Sequence, residues 1–303
     1  MTAHSAADTL QPRQEAGPAA AGGLFSRLAG MGAGLLLVAP ALTAIGLLYA
    51  APLLRSLITA FQDGEGGFST ANIAKALEFY SGDIIFSILV ALGSLALIAA
   101  SSIAIAGYLT LGESRWAVPL LRWLYRWPLF IPFIVAGQTA RSFLARNGML
   151  NTLLVEGGVL DAASAQSLLD WRGLMLTFAW KQIPFVTLLL AGAMASLDRS
   201  TIEAARNLGA GRLRCLFDIV LPQVRPQLLV ALVLSLVTIM SVLSVPAMLI
   251  SGNPTMMTAM MAHRVTYYGD YAVANALGLF SYLLTAVAAW AYLRMTLKAK
   301  AGQ

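Results

Sequence analysis

Apolar residues in this chain run in long blocks rather than in alternation. Stretches with little or no charge recur at about 31–54, 84–111, 118–140, 173–196, 227–250 and 271–293. Each supplies the roughly 20 residues that a helix needs to cross about 30 Å of hydrocarbon. Inside lipid every backbone polar group must find a partner, which a helix provides within itself. The blocks therefore predict an all-α integral membrane protein with six spans. The second block is uncharged throughout. The third is the most interrupted, because Arg122 and Arg126 fall at its start and only 127–140 is free of charge. Long arginine side chains can snorkel from such a position to the cytoplasmic interface. Pro40 and Pro52 lie in the first block and Lys181 in the fourth. At the outer end of the fifth, Pro246 and the Ser251-Gly252-Asn253-Pro254 turn predict a break.

The polar segments between the blocks differ in kind. Residues 1–27, rich in Ala, Gly, Pro, Gln and Ser, are expected to form a disordered cytoplasmic tail before a 28–297 membrane domain, with 298–303 a second tail. The apolar run that follows is too long, and the charges too far from Met1, for a cleaved signal peptide. Segments 55–83 and 141–172 read as long outer loops with amphipathic stretches at 73–79 and 150–155. Segment 198–226 is the most charged and carries the punctuation of two short helices. Ser200 and Glu203 fit a capping box, and Gly209 supplies a left-handed stop. A second helix from about Gly211 places Leu213, Leu216, Phe217 and Val220 on one side. Pro222 is expected to end it, since proline removes a donor and clashes with the preceding turn.

Composition sharpens this picture. The chain has 303 residues, 58% hydrophobic and 11% charged, with mean hydropathy +0.74. Soluble domains carry roughly 25% charged residues. About two thirds of the 20 Lys and Arg fall in segments on the side of 198–226, against Arg55, Lys75, Arg141, Arg146, Arg172 and Arg264 on the other. That bias places both termini and 198–226 in the cytoplasm. It also explains the basic balance as attraction to anionic inner-leaflet lipid, without a nucleic-acid partner. The single cysteine, Cys215, excludes a disulfide within the chain. No catalytic constellation, metal-ligand cluster or phosphate-binding loop stands in the sequence, and His4 and His263 have no ligand partners nearby in it. No cofactor is expected, and the chain is not read as an enzyme. The glycines at 30 and 34, with Ala91, Gly93 and Ala99, read as close-packing positions.

Two sets of polar residues within the spans are candidates for a translocation pathway. A charge such as Lys181 is costly in hydrocarbon and must face protein, water or the interface. It either lines a pathway or snorkels outward, with acceptors offered by the turn that Pro184 opens. Ser235, Thr238, Ser241 and Ser244 form a winding band on the fifth span, because three-residue spacing drifts around a helix. The band either lines a polar pathway or bonds back to its own carbonyls.

The motif in the charged segment carries a family resemblance. Glu203-Ala204-Ala205, three residues, Gly209, nine residues and then Ile219-Val220-Leu221-Pro222 resembles the signature of permease subunits of binding-protein-dependent ABC importers. The likeness extends over most of 31–297, including Pro128–Pro132, Asn147-Gly148-Met149-Leu150-Asn151 and Trp180 to Phe185. It implies a six-helix type I importer core, paired with a second permease subunit, with a pathway between them. It further implies that Glu203, Ala204, Ala205, Gly209, Ile219, Leu221 and Pro222 seat on a cytoplasmic ATPase dimer, and that an extracytoplasmic binding protein delivers the substrate. The Leu208-Gly209-Ala210 form is closer to permeases for polyamines, ferric iron, oxyanions or phosphonates than to the Asp-Gly-Ala form of sugar permeases. A polyamine is the expected substrate, against the caution that the six blocks hold no acidic residue.

Overall fold

The computed structural model describes residues 37–64 and 66–301, with 296–301 described by their backbone alone. The expected tail over 1–27, His4, the glycines at 30 and 34 and the start of the first span lie outside these residues. The chain divides between Ser56 and Leu57 into two units. The described part of the first unit is helical and belongs to α1 (Leu37–Ala60), whose last residues fall in the second unit. A π-helical turn at Gly46–Ala50 immediately precedes Ala51-Pro52.

In chain order the second unit then carries α2 (Ala71–Leu111), α3 (Ala117–Leu124), α4 (Phe133–Leu144), α5 (Met149–Glu156) and α6 (Trp171–Ala195). There follow α7 (Arg199–Asn207), α8 (Arg212–Ser241), α9 (Ser244–Leu249), α10 (Met257–Tyr268) and α11 (Tyr271–Ala301). Among the described residues, α1, α2, α6, α8 and α11 are long and apolar enough to cross a membrane.

The expected third span, 118–140, is not one helix. It is built from α3, a 3-10 turn at Trp127–Phe130 and α4, with extended backbone at Ile131 and Pro132 between the last two. The fifth, 227–250, also differs. Its helix begins at Arg212 and stops at Ser241, before Pro246, and α9 follows as a separate piece. The outer segment 55–83 is largely helical, because α2 starts at Ala71 and brings Glu78 and Asp83 into a spanning helix. The helix thus begins ahead of the expected span and carries both acidic residues on that extension.

α2 is the axis of the second unit. Its buried residues include Ser87, Val90, Ser94, Ile98, Ser102 and Ala106, spaced three or four apart along one face. Small side chains let membrane helices approach closely, and α6 packs along this face. The hydroxyls of Ser87, Ser94 and Thr110 donate to the carbonyls of Asp83, Val90 and Ala106, so polarity in the buried face is met locally. Near the C-terminal end of α2, a methyl group on Gly107 would lie 2.8 Å from a terminal carbon of Leu216, so this glycine is where α8 comes against α2.

Toward the other end of α2, the segment between α9 and α10 is pinned to it. The backbone N–H of Thr255 donates to the Asp83 carboxylate at 2.7 Å. The N–H of Met257 donates to Ser87 Oγ at 2.8 Å. Met256 and Met257 are buried beside these contacts. The Arg264 guanidinium donates to the Tyr80 hydroxyl and pairs with Asp270 at 3.5 Å, fastening the C-terminal end of α10 to α2.

Candidate functional site

The charged segment of the sequence forms α7, a tight turn and the first part of α8. Asp198, not Ser200, caps α7. Its carboxylate accepts from the backbone N–H of Ser200 at 2.9 Å and from the Ser200 hydroxyl at 2.7 Å. The expected capping box is thereby corrected: a carboxylate two residues ahead reaches the free amide first, and Glu203 is left exposed. The Ser200 side-chain and backbone hydrogen bonds hold the Asp198 carboxyl below its ordinary range. The N–H of Gly209 bonds to Arg206 and that of Ala210 to Ala205, closing the turn. Gly209 has φ 85, a conformation that costs other residues roughly 1–2 kcal/mol.

The second helix of the segment does not stop at Pro222. Cys215–Val220 forms a π-helical turn, in which the N–H of Leu221 reaches back five residues to Leu216. Proline lacks a donor, and its ring crowds the carbonyl four residues earlier. The wider turn changes the carbonyl register just ahead of Pro222, so the helix runs on to Ser241. Pro52 follows a π turn in the same way, with the Ala51 N–H reaching back to Gly46.

The segment has two faces. Ile202, Cys215, Leu216 and Val220 are buried against the bundle. Leu208, Leu213 and Phe217 are exposed at 90%, 72% and 54%, so the last helix does not bury all the apolar positions expected to share a side. Glu203, Ala204, Gly209 and Pro222 are exposed with them, while Ala205, Ile219 and Leu221 are half-buried. Both limbs of the turn are tied to the connector after α2. Arg206 donates to Glu113 at 3.1 Å and to the Leu111 carbonyl at 3.1 Å, and Arg212 donates to the other oxygen of Glu113 at 2.8 Å. Glu113 is the residue that sequence reasoning missed. Its signal was a lone acid in a basic segment, and its partners lie more than ninety positions away.

Lys181 is buried, 6% exposed. Its ammonium donates to the carbonyls of Pro128 and Ile131 at 2.6 and 2.5 Å, and stands 4.9 Å from the centre of the Phe133 ring. These acceptors belong to the break between the 3-10 turn and α4, not to the turn that Pro184 opens in α6. The expectation of snorkelling to the outer interface is thereby corrected. The hydroxyl band on α8 divides. Thr238 donates to the carbonyl of Leu234 and Ser241 to that of Thr238, the local alternative. Ser235 is buried with no hydrogen-bond partner for its hydroxyl, as is Thr187 on α6.

A cleft of about 540 Å³ opens where α2, α6 and α7 end beside α3. Arg122, Arg126, Arg199, Arg206 and Glu203 line it, over apolar walls that include Leu111, Leu188 and Met194.

A family model described as the binding-protein-dependent transport system inner membrane component matches residues 85–296. A sulfoquinovosyl glycerol transport permease of Agrobacterium fabrum is 26% identical over 212 residues, 64% of this chain and 67% of the relative. A spermidine/putrescine permease of Haemophilus influenzae is 30% identical over 131 residues, 43% of this chain and 46% of the relative. A molybdenum transport permease of Escherichia coli is 33% identical over 109 residues, 36% of this chain and 45% of the relative. The chain thus spans from under half to about two thirds of the length of these curated relatives. Among solved structures, a chain of a bacterial alginate ABC transporter, in complex with an alginate pentasaccharide-bound periplasmic protein, superposes with a TM-score of 0.75. It is 17% identical, and the match covers 91% of this chain and 98% of that one.

Proposed function

The chain belongs to the family of binding-protein-dependent transport system inner membrane components, and from that premise we propose that it is the permease subunit that joins an ATP-driven motor to a solute pathway. As a permease it is a multi-pass membrane subunit of an ABC transporter, and ATP hydrolysis falls to a separate cytoplasmic subunit. Residues 198–226 dock on that ATPase, a second permease subunit completes the pathway, and an external binding protein delivers the solute.

One observation carries this reading. The signature-bearing turn exposes Leu208, Leu213 and Phe217 while Glu113 holds both of its limbs to the end of α2. Exposed apolar side chains on a charged turn suit burial in a groove of a soluble partner. The tie to α2 gives any movement of that partner a route into the bundle. Ala204 leaves room for a partner surface, and Glu203 has no partner among the described residues, so its carboxylate can meet a basic group of the ATPase.

Gly209→Val tests the reading in a reconstituted complex of permease, ATPase and binding protein. Strain at a φ of 85 displaces the turn. ATP hydrolysis is expected to continue without stimulation by the binding protein, while uptake falls by at least tenfold. Full uptake by this variant overturns the coupling role.

The spermidine/putrescine relative and the Leu208-Gly209-Ala210 form support a polyamine as the substrate. Against it, Asp83 is buried and already accepts from Thr255, so it offers no free carboxylate to a cation, and a sugar is the second reading. The longest of the three alignments, to a sulfoquinovosyl glycerol permease, supports that second reading. Uptake of labelled spermidine with the binding protein of the same system separates them: a polyamine reading requires saturable uptake that sugars do not compete.

A further inference from the structure

The basic cleft beside α3 shares Arg199, Glu203 and Arg206 with the segment assigned to coupling, and it carries an inference of its own. Four guanidinium groups line it against the single carboxylate of Glu203. Arg206 is held by Glu113 and the Leu111 carbonyl, and Arg126 donates to the Tyr125 hydroxyl at 3.3 Å. Arg122 and Arg199 make no hydrogen bond or ion pair among the described residues. A cleft with this excess of positive charge and two uncommitted guanidinium groups is a site for an anion. Its walls name the kind of anion. Leu111, Leu188 and Met194 come from the ends of two spanning helices, so the charged mouth opens onto an apolar lining. Along one side, α3 and its flanks leave Trp116, Leu120, Trp123 and Trp127 exposed at 54% or more. Tryptophans at the ends of spanning helices mark headgroup depth, and basic pockets between helices on the cytoplasmic side accept lipid headgroups.

We propose that this cleft is a binding site for an anionic phospholipid, whose phosphodiester sits among Arg122, Arg126 and Arg199 and whose acyl chains follow the apolar wall. Arginine offers paired donors that fit two phosphate oxygens at once. A soluble anion would use the charges but not the wall. An acidic loop of a partner protein would use neither the wall nor the tryptophans.

The test is native mass spectrometry of the full chain, freed of lipid in detergent and titrated with phosphatidylglycerol or phosphatidylcholine of the same acyl chains. Wild type is expected to retain phosphatidylglycerol well beyond phosphatidylcholine. Each charge removed is expected to weaken that retention roughly fivefold. The double variant R122Q/R199Q should therefore lose most of the preference. R294Q should keep it, because Arg294 stacks on Trp290, outside the cleft. R122K/R199K, which keeps both charges, should retain more than the glutamine pair, and this comparison separates charge from a general loss of fold. Equal retention of the two lipids by wild type overturns the proposal, as does an unchanged preference in R122Q/R199Q. Displacement of bound phosphatidylglycerol by millimolar inorganic phosphate also overturns it, in favour of a free-anion site.

Discussion

Lys181 is buried in the interior of the bundle, and its observed partners are backbone oxygens rather than a carboxylate. The reason lies at Pro132. The residue before a proline is pushed to extended backbone, so Ile131, with ψ 122, lies outside the hydrogen-bond ladder of α4. In hydrocarbon an unmet carbonyl is expensive. The ammonium meets those of Pro128 and Ile131 together, with the Phe133 ring alongside. Lys181→Met keeps the length of the side chain and removes its donors. It should destabilise the protein by about 2 kcal/mol, the usual cost of a buried polar group left unsatisfied, here the Ile131 carbonyl, because that of Pro128 also accepts from the Ile131 N–H. The loss should appear as a lower Tm in detergent and as faster proteolysis between residues 127 and 133, with Lys181→Arg partly restoring both. A variant that keeps its Tm and loses only uptake would instead place the charge in the solute pathway.

Among the elements, the two helices that carry a π turn ahead of a proline follow a common rule. In α8 the turn at Cys215–Val220 admits Pro222 without ending the helix. Pro222→Ala removes the need for that turn, and the preceding residues can relax to ordinary α geometry. Such a change rotates residues 212–220 by a fraction of a turn against the bundle. Cys215 is now buried with its thiol toward the Ala210 carbonyl, and it should move toward the surface. Maleimide labelling of Cys215 in inside-out vesicles should therefore be faster in Pro222→Ala than in wild type; equal rates would show that packing, not proline, sets the π turn. The blocks at 84–111, 173–196 and 271–293 were legible in the sequence because a long, mostly apolar run has one outcome in lipid, even with Lys181 and Pro184 inside the second of them. The block at 118–140 carries Arg122 and Arg126 at its start and that at 227–250 has Pro246 near its end, but neither signal locates the breaks at Ile131 and Val242. Their freed carbonyls are taken by side chains far along the chain: Lys181 serves the first break, and the Thr258 hydroxyl donates to Val242 at the second, at 3.3 Å. Hydropathy registers the run but not the distant donor that permits a break. The same holds at the candidate site. The signature was legible residue by residue, whereas the Glu113 clamp and the basic cleft depend on contacts between segments.

At the scale of the whole molecule, α2 joins what the other elements keep apart. One end receives the hairpin between α9 and α10 through Asp83 and Ser87. The other end meets Leu216 at Gly107 and passes to Glu113, which holds Arg206 and Arg212. A helix of 41 residues is about 60 Å long at ~1.5 Å per residue. It can carry a displacement of the turn after α7 to the segment between α9 and α10 only if it stays straight. It contains no proline, but Gly93-Ser94 is a pair of the kind at which long helices kink. One contact opposes a kink there, since Met175 of α6 covers Gly93 closely enough to crowd any added methyl, whereas the bond from Ser94 Oγ back to the Val90 carbonyl favours a bend. Spin labels at Lys75 and Tyr108, with Cys215 replaced by serine, bracket the pair at about 50 Å along a straight helix. If α2 acts as a strut, the distance distribution in the importer complex should be the same at rest and with the ATPase trapped by vanadate. A shorter distance in the trapped state would mean that α2 bends between the labels, at Gly93-Ser94 or at Ser81-Gly82, and does not act as a strut.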